Sequence, residues 1–189
     1  MALGVYPGSF NPPTVAHLAI AEAAWRQLGL ERLDLAVSRT ALGKEAVEVP
    51  SLDHRVEVLE AVACTRPWLG LQVVDAQLVV DVAAGYDVVV MGADKWAQVF
   101  DPGWYGGSES ARDLAVARLP NVAVVPRTGV LLPENVRGAV LLDVPVHFTE
   151  MSSSAARAGR HEWMAEEAIA FDQRTGAWSD AARYAQWTE

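Results

Sequence analysis

The chain has 189 residues and a net charge of −9, from 15 Lys and Arg against 24 Asp and Glu, and 51% of its residues are hydrophobic. That balance suits a single domain with a substantial core and excludes a disordered chain, which buries too little apolar surface to fold. The acidic surface argues against nucleic acid as a partner, and no apolar run reaches the roughly 18 residues of a membrane-spanning helix. The Met1 to Leu3 start lacks the charged and apolar regions of a signal peptide. Cys64, the single cysteine, rules out an internal disulfide. A cytoplasmic protein is expected, as a monomer or a homo-oligomer.

In chain order the pattern alternates between strands and helices. Leu3 to Tyr6 is a short apolar strand that runs into Pro7-Gly8. Val15 to Leu28 carries apolar residues at helical spacing and is stopped by Gly29. Leu33 to Val37 is the second strand. Ser51 is a plausible N-cap for a helix to about Cys64, with Leu52, Val56, Leu59, Val62 and Ala63 facing inward. Leu71 to Val74 is the third strand, and Asp87 to Met91 is a β-branched run of the kind found in buried parallel sheets. A helix is expected within Ser108 to Leu119, then strands at Val122 to Val125 and Ala139 to Leu142. The end is helical, around Glu162 to Phe171 and Ser179 to Trp187. Strands separated by helices predict an α/β fold, a doubly wound Rossmann-like parallel sheet whose ligands sit beyond the carboxyl ends of the strands. The expected organisation is one α/β domain over residues 1–160 with a small helical tail, residues 161–189, packed on it.

Gly8-Ser9-Phe10-Asn11-Pro12-Pro13-Thr14-Val15-Ala16-His17 lies where the first strand hands over to the first helix. Gly8 and Ser9 leave the backbone unobstructed, and amides there and at the helix start suit phosphate oxygens. Thr14 and His17, three apart, point to one side and offer a hydroxyl and an imidazole. The alternative is a Pro-rich turn with Thr14 as N-cap and His17 half-buried.

Further along, Ser152-Ser153-Ser154-Ala155-Ala156-Arg157 puts three hydroxyls at a helix start with an arginine one turn in. That suits a phosphate group, or is simply a serine-rich cap beside a solvated arginine. After the central strand come Gly92-Ala93-Asp94 and the aromatics Trp96, Trp104 and Tyr105. Asp94 could accept from a ribose hydroxyl or a base amine. The aromatics offer flat faces to a planar ring, or pack the loop down.

The segment Gly8 to His17 resembles the first signature of the nucleotidylyltransferase superfamily, with Ala16 in place of the motif glycine. Within it the chain is most similar to the nicotinamide and nicotinate mononucleotide adenylyltransferases. Met151 to Arg157 resembles their ISSTxxR signature, Met91 to Asp94 their GAD turn, and Val125 to Gly129 their strand ending in R-x-G. The resemblance spans most of residues 3–160 with its motifs in order.

It implies an adenylyltransferase that joins ATP to nicotinate or nicotinamide mononucleotide and releases pyrophosphate, with Mg²⁺ carried on the ATP phosphates. It further implies His17, Thr14, Lys44 and Arg157 as catalytic residues. ATP would be bound by Gly8, Ser9, Phe10, His17, Gly92, Asp94, Ser152, Ser153, Ser154 and Arg157. Trp96, Trp104, Tyr105 and Arg127 would bind the acceptor. Asp75-Ala76-Gln77-Leu78 lacks the Trp and Thr that the family carries here, so the acceptor pocket is expected to be built differently. The rival readings are another acceptor such as phosphopantetheine, CTP in place of ATP, or a nucleotide-binding protein that has lost catalysis.

Overall fold

The computed structural model describes residues 1–39, 49–126 and 139–188. Six parallel strands form one sheet: β1 (Leu3–Pro7), β2 (Arg32–Ser38), β3 (Leu69–Val74), β4 (Val88–Gly92), β5 (Asn121–Val125) and β6 (Ala139–Leu141), in the order β3-β2-β1-β4-β5-β6. The order reverses between β1 and β4, which pair through Gly4 with Val88 and Val5 with Val89. A doubly wound sheet opens its ligand crevice at such a reversal, outside the carboxyl ends of the strands.

Helices cover both faces. They are α1 (Val15–Gln27), α2 (Leu52–Cys64), α3 (Val79–Val82), α4 (Ala93–Val99), α5 (Glu109–Val116), α6 (Ser153–Arg157), α7 (Glu166–Thr175) and α8 (Ala181–Thr188). Because strand side chains alternate between faces, Leu33, Leu35 and Val37 of β2 pack with α1, α2, α7 and α8, while Ala36 faces the other way. On that second face Val5, Val89, Met91 and Val124 pack with α3 and α4 through Val82, Trp96 and Val99. The buried face of α1 is built from Ala16, Ala21 and Ala24, small residues that let the helix lie close to the sheet.

Three local expectations are corrected. In α2 the buried positions are Arg55, Val58, Leu59 and Val62, so the helix is rotated from the reading that put Val56 and Ala63 inward. The helix expected from Glu162 is instead a 3-10 turn at His161–Trp163 followed by α7 from Glu166. Between them Met164 is extended and bridges Thr14, and the Ala165 N–H donates to the Pro13 carbonyl (3.0 Å), bonds that a continuous helix would forbid. Finally, β4 runs directly into the helix α4 where a loop was expected.

The segment after Gly159 is tied to the α/β core by polar contacts. Arg66 at the end of α2 pairs with Glu167 of α7 (2.8 Å). Tyr184 of α8 places its hydroxyl 2.6 Å from His54 Nδ1 and accepts from the Ser51 N–H (3.0 Å). Asp172, buried, accepts from the N–H groups of Trp178 and Ser179 and so shapes the turn that carries the Trp178 indole inward. Among the described residues no helix is long and apolar enough to cross a membrane.

Candidate active site

A cleft of about 900 Å³ opens at the carboxyl ends of β1, β2, β4 and β5. Its described lining includes Gly8, Ser9, Asn11 and His17 on one strand-to-helix junction and Gly92, Asp94 and Lys95 on another. Ser152, Ser153, Ser154 and Arg157 close it from α6, and Ser38, Gln77, Val79 and Val82 complete the wall beside β2 and α3.

The loop from Gly8 to Pro13 is held by its carbonyls. Those of Ser9, Asn11, Pro12 and Pro13 accept, in turn, from Arg55 Nη1 (3.1 Å), Arg157 Nη1, Ser153 Oγ (2.7 Å) and the Ala165 N–H (3.0 Å). The donors come from α2, α6 and the start of α7, so elements distant in sequence converge on six residues. Asn11 is 4% exposed, and its side-chain Oδ1 accepts from the Trp178 indole (2.6 Å). A Cβ on Gly8 would stand 2.8 Å from the Phe10 ring, which folds across it, so a larger residue here would displace that ring.

Thr14 caps α1. Its Oγ1 accepts from the His17 N–H (3.3 Å), while the Thr14 N–H donates to His17 Nδ1 (3.0 Å), a reciprocal capping box with histidine in the usual place of glutamate. Thr14 is completely buried and does not line the cleft. The expectation that its hydroxyl meets a phosphate is therefore corrected: Thr14 acts on His17. Phe10 is also redirected. Its ring is 1% exposed and lies edge-on to Tyr6 (5.5 Å) and His17 (5.1 Å), so it supports the loop from the core side.

The serines divide their work. Ser152 caps α6 by accepting from the Ala155 N–H (3.1 Å), Ser153 donates to the loop, and Ser154 lies 3.5 Å from Arg157 Nη2. All three and Arg157 face the cleft. At the other junction Asp94 is exposed in the first turn of α4, and its Oδ1 would stand 2.7 Å from a Cβ on Gly92.

The aromatic expectation fails for Trp96, which is 5% exposed and packs edge-on against Phe100 (4.7 Å) in the core. Trp104 and Tyr105 sit in a 3-10 turn at Pro102–Tyr105, outside the cleft lining, and the Tyr105 hydroxyl donates to the Val99 carbonyl (3.0 Å). Burial pushes the Tyr105 phenol above its ordinary range, with the field of Asp81 adding to it. Trp96 follows the helical spacing of α4, which turns it inward, whereas Trp104 and Tyr105 stay half-exposed on the separate 3-10 turn. Lys44 and Arg127 lie outside the described residues. The sequence reading missed Ser38, Gln77, Lys95 and Thr149 in the lining, and Trp178 as the partner of Asn11. Gln77 falls in the segment that already departs from the adenylyltransferase pattern. The other three carried no local signal.

Residues 5–158 match the family model described as cytidylyltransferase-like. The chain belongs to the cytidylyltransferase-like family. Among its relatives, a probable nicotinate-nucleotide adenylyltransferase of Brucella suis is 32% identical over 129 residues, 62% of this chain and 65% of that protein. One of the same name from Listeria monocytogenes is 40% identical over 58 residues, 31% of each chain. A phosphopantetheine adenylyltransferase of Desulforamulus reducens is 43% identical over 68 residues, 35% of this chain and 38% of that one. The chain spans about a third of the length of the first curated relatives it matches. Two structures of the Plasmodium falciparum nicotinic acid mononucleotide adenylyltransferase, complexed with APC and with NaAD, superpose with TM-scores of 0.65 and 0.66. At 13% and 14% identity, over 91% of this chain and 94% of theirs, they share its fold.

Within this cytidylyltransferase-like chain, the family match ends just past Arg157, the last lining residue named above. Trp178 and Tyr184 lie beyond it, yet reach Asn11 and the α2 N-terminus.

Proposed function

We propose that the protein is an adenylyltransferase that joins ATP to nicotinate or nicotinamide mononucleotide, yielding an NAD-type dinucleotide and pyrophosphate. The observation that carries this reading is the direct bonding of α6 to the Gly8–Pro13 loop. Arg157 and Ser153 bond the carbonyls of Asn11 and Pro12, so the His17 junction and the Ser152–Arg157 cluster form one continuous anion-binding wall. The adenylyltransferase names of the relatives support the same reaction class.

In this mechanism a phosphate oxygen of the acceptor attacks the α-phosphorus of ATP in line. The bond from that phosphorus to its bridging oxygen breaks, and pyrophosphate leaves with the electron pair. The attacking group is already an anion, so no general base is required and catalysis rests on positioning and charge stabilisation.

His17 serves the α-phosphate. A backbone N–H can only donate, so Nδ1 accepts from Thr14, and the proton of the neutral ring sits on Nε2, which can donate to a phosphate oxygen. Arg157, Ser152 and Ser154 hold the departing pyrophosphate, while Gly8, Ser9, Gly92 and Asp94 receive the nucleoside and its first phosphate. Lys44 as a further phosphate contact and Arg127 near the acceptor rest on the sequence resemblance. A divalent cation such as Mg²⁺ would ride on the triphosphate, held mainly by phosphate oxygens and water. When bound, it neutralises phosphate charge.

A second acceptor is favoured by one observation. The rings expected to stack on a pyridine do not line the described cleft, whose wall beside α3 is formed by Gln77, Val79 and Val82. A flexible acceptor such as phosphopantetheine needs no stacking surface. The test is pyrophosphate release from Mg-ATP with nicotinate mononucleotide, nicotinamide mononucleotide or phosphopantetheine, each against a no-acceptor blank. Release with a pyridine mononucleotide supports the main reading. Release with phosphopantetheine alone replaces it, and silence with all three from protein that binds ATP removes the catalytic reading.

A further inference from the structure

Arg55 lies in the first turn of α2, 5% exposed, and is not part of the cleft lining. Its Nη1 donates to the Ser9 carbonyl (3.1 Å), and its Nε is buried without a hydrogen-bond partner among the described residues. Burial holds the guanidinium below its ordinary range, and the charge effect that opposes this comes from Tyr184, not from a carboxylate. A cation withdrawn from water is costly, and among the described residues no carboxylate pairs with Arg55, so its retention needs a reason elsewhere in the molecule.

The reason is the peptide it grips. The Ser9–Phe10 peptide is trans, so its N–H points opposite to its C=O. With the carbonyl turned to Arg55, the Phe10 N–H is turned to the other side of the loop. The residue that follows the peptide is conformationally unusual: Phe10 has φ +42°, a left-handed backbone that an aromatic side chain rarely adopts. Two contacts enforce it, the Phe10 ring packed edge-on against Tyr6 and His17, and the Arg55 bond to the preceding carbonyl. Ser9 itself lines the cleft, on the loop assigned above to phosphate oxygens.

We propose that Arg55 is a positioning residue of the anion-binding loop: its guanidinium turns the Ser9 carbonyl away from the cleft, so that the N–H of the same peptide faces the ligand's phosphates, with a buried positive charge beneath them. The anion itself then balances that charge, which acts through low-dielectric protein. This deepens the adenylyltransferase reading and rests on it for the identity of the ligand.

The test compares the full chain with Arg55→Met, Arg55→Gln and Arg55→Lys by titration calorimetry with ATP, pyrophosphate and adenosine. Arg55→Met should weaken ATP and pyrophosphate by about ten- to hundredfold and adenosine by less than about threefold, since a charge-assisted contact is lost only to the anions. Arg55→Lys, which keeps the charge, should recover most of the loss. If Arg55→Met does not fold, Arg55→Gln keeps a donor while dropping the charge, and should show the same anion-selective loss. Wild-type ATP affinity in the folded variants, or equal losses for ATP and adenosine, overturns the proposal, the latter because a loop anchor alone would loosen the whole site. Wild-type protein that binds neither ATP nor pyrophosphate overturns it as well. The acceptor assays above judge the reaction separately: ATP binding that depends on Arg55 in an enzyme silent with every acceptor would keep this inference and remove the catalytic one.

Discussion

Thr14 Oγ1 lies 2.8 Å from His17 Nδ1, and the backbone N–H of Thr14 reaches the same nitrogen at 3.0 Å. The helix cap and the candidate catalytic imidazole are thus one structure, and the backbone donor, not a carboxylate, dictates which ring nitrogen carries the proton. Replacing Thr14 removes the hydroxyl that both caps the helix and contacts Nδ1, while the backbone donor to that nitrogen stays. Thr14→Ala should cost about 1 kcal/mol of stability, as for other lost caps, and lower kcat by more than that loss of folded protein accounts for. Thr14→Ser should restore both. Thermal unfolding alongside steady-state pyrophosphate release checks this, and a stability loss with unchanged kcat would confine Thr14 to capping.

His17→Ala should lower turnover by about two orders of magnitude or more, the usual scale for removing a preorganised donor to developing charge. The protein should stay folded because the Thr14 hydroxyl still caps the helix. Pyrophosphate release at saturating ATP measures it, and near-normal activity would sink the proposed role.

Trp178→Phe deletes the indole donor and leaves Asn11 Oδ1 buried without it. A destabilisation of about 1–3 kcal/mol is expected from the orphaned acceptor, read as a lower urea midpoint with unchanged slope. Because the same asparagine anchors Arg157 through its carbonyl, the KM for ATP should rise as well. A variant with wild-type KM would show that the tail stabilises the fold without tuning the site.

Tyr86 sets an alkaline limit. Its phenol is pushed well above the ordinary 10.0, first by burial and then by its hydrogen bond to Asp34 (2.8 Å). A group whose folded pKa is raised contributes stability that is complete below the unfolded pKa and is lost as pH rises towards the folded one. Stability should therefore hold up to about pH 10 and fall above it. Tyr86→Phe should be less stable at neutral pH, because Asp34 loses a donor, but should show a shallower alkaline decline. Thermal melts from pH 8 to 11 would reveal an unchanged slope if another group were responsible.

Much of the fold was legible because its signals are local. The β-branched run Val88 to Val90 reads as a buried strand, Ser51 and Ser108 cap the helices they precede, and Gly29 takes the positive φ that ends α1. The lining of the cleft was legible in part: His17, Asp94 and Arg157 all lie on it. It was misread where a side chain has two faces to choose from. Trp96 and Phe100 stand four apart, a helical spacing that the reading took for a loop, and the helix turns Trp96 into the core.

By itself the sequence determined the alternation of strands and helices, the junctions that carry glycine and hydroxyl groups, and the order of motifs that marks the family. Those follow from periodicity, capping and backbone freedom within a few residues. Only the tertiary structure decided which of these groups line the cleft and which hold it in shape. Thr14, Phe10 and Arg55 went to the supporting layer and Ser38, Gln77 and Lys95 to the wall. The physical reason is reach: Asn11 is satisfied by an indole 167 positions away and by a guanidinium 146 positions away, and no local pattern encodes a hydrogen bond across that distance.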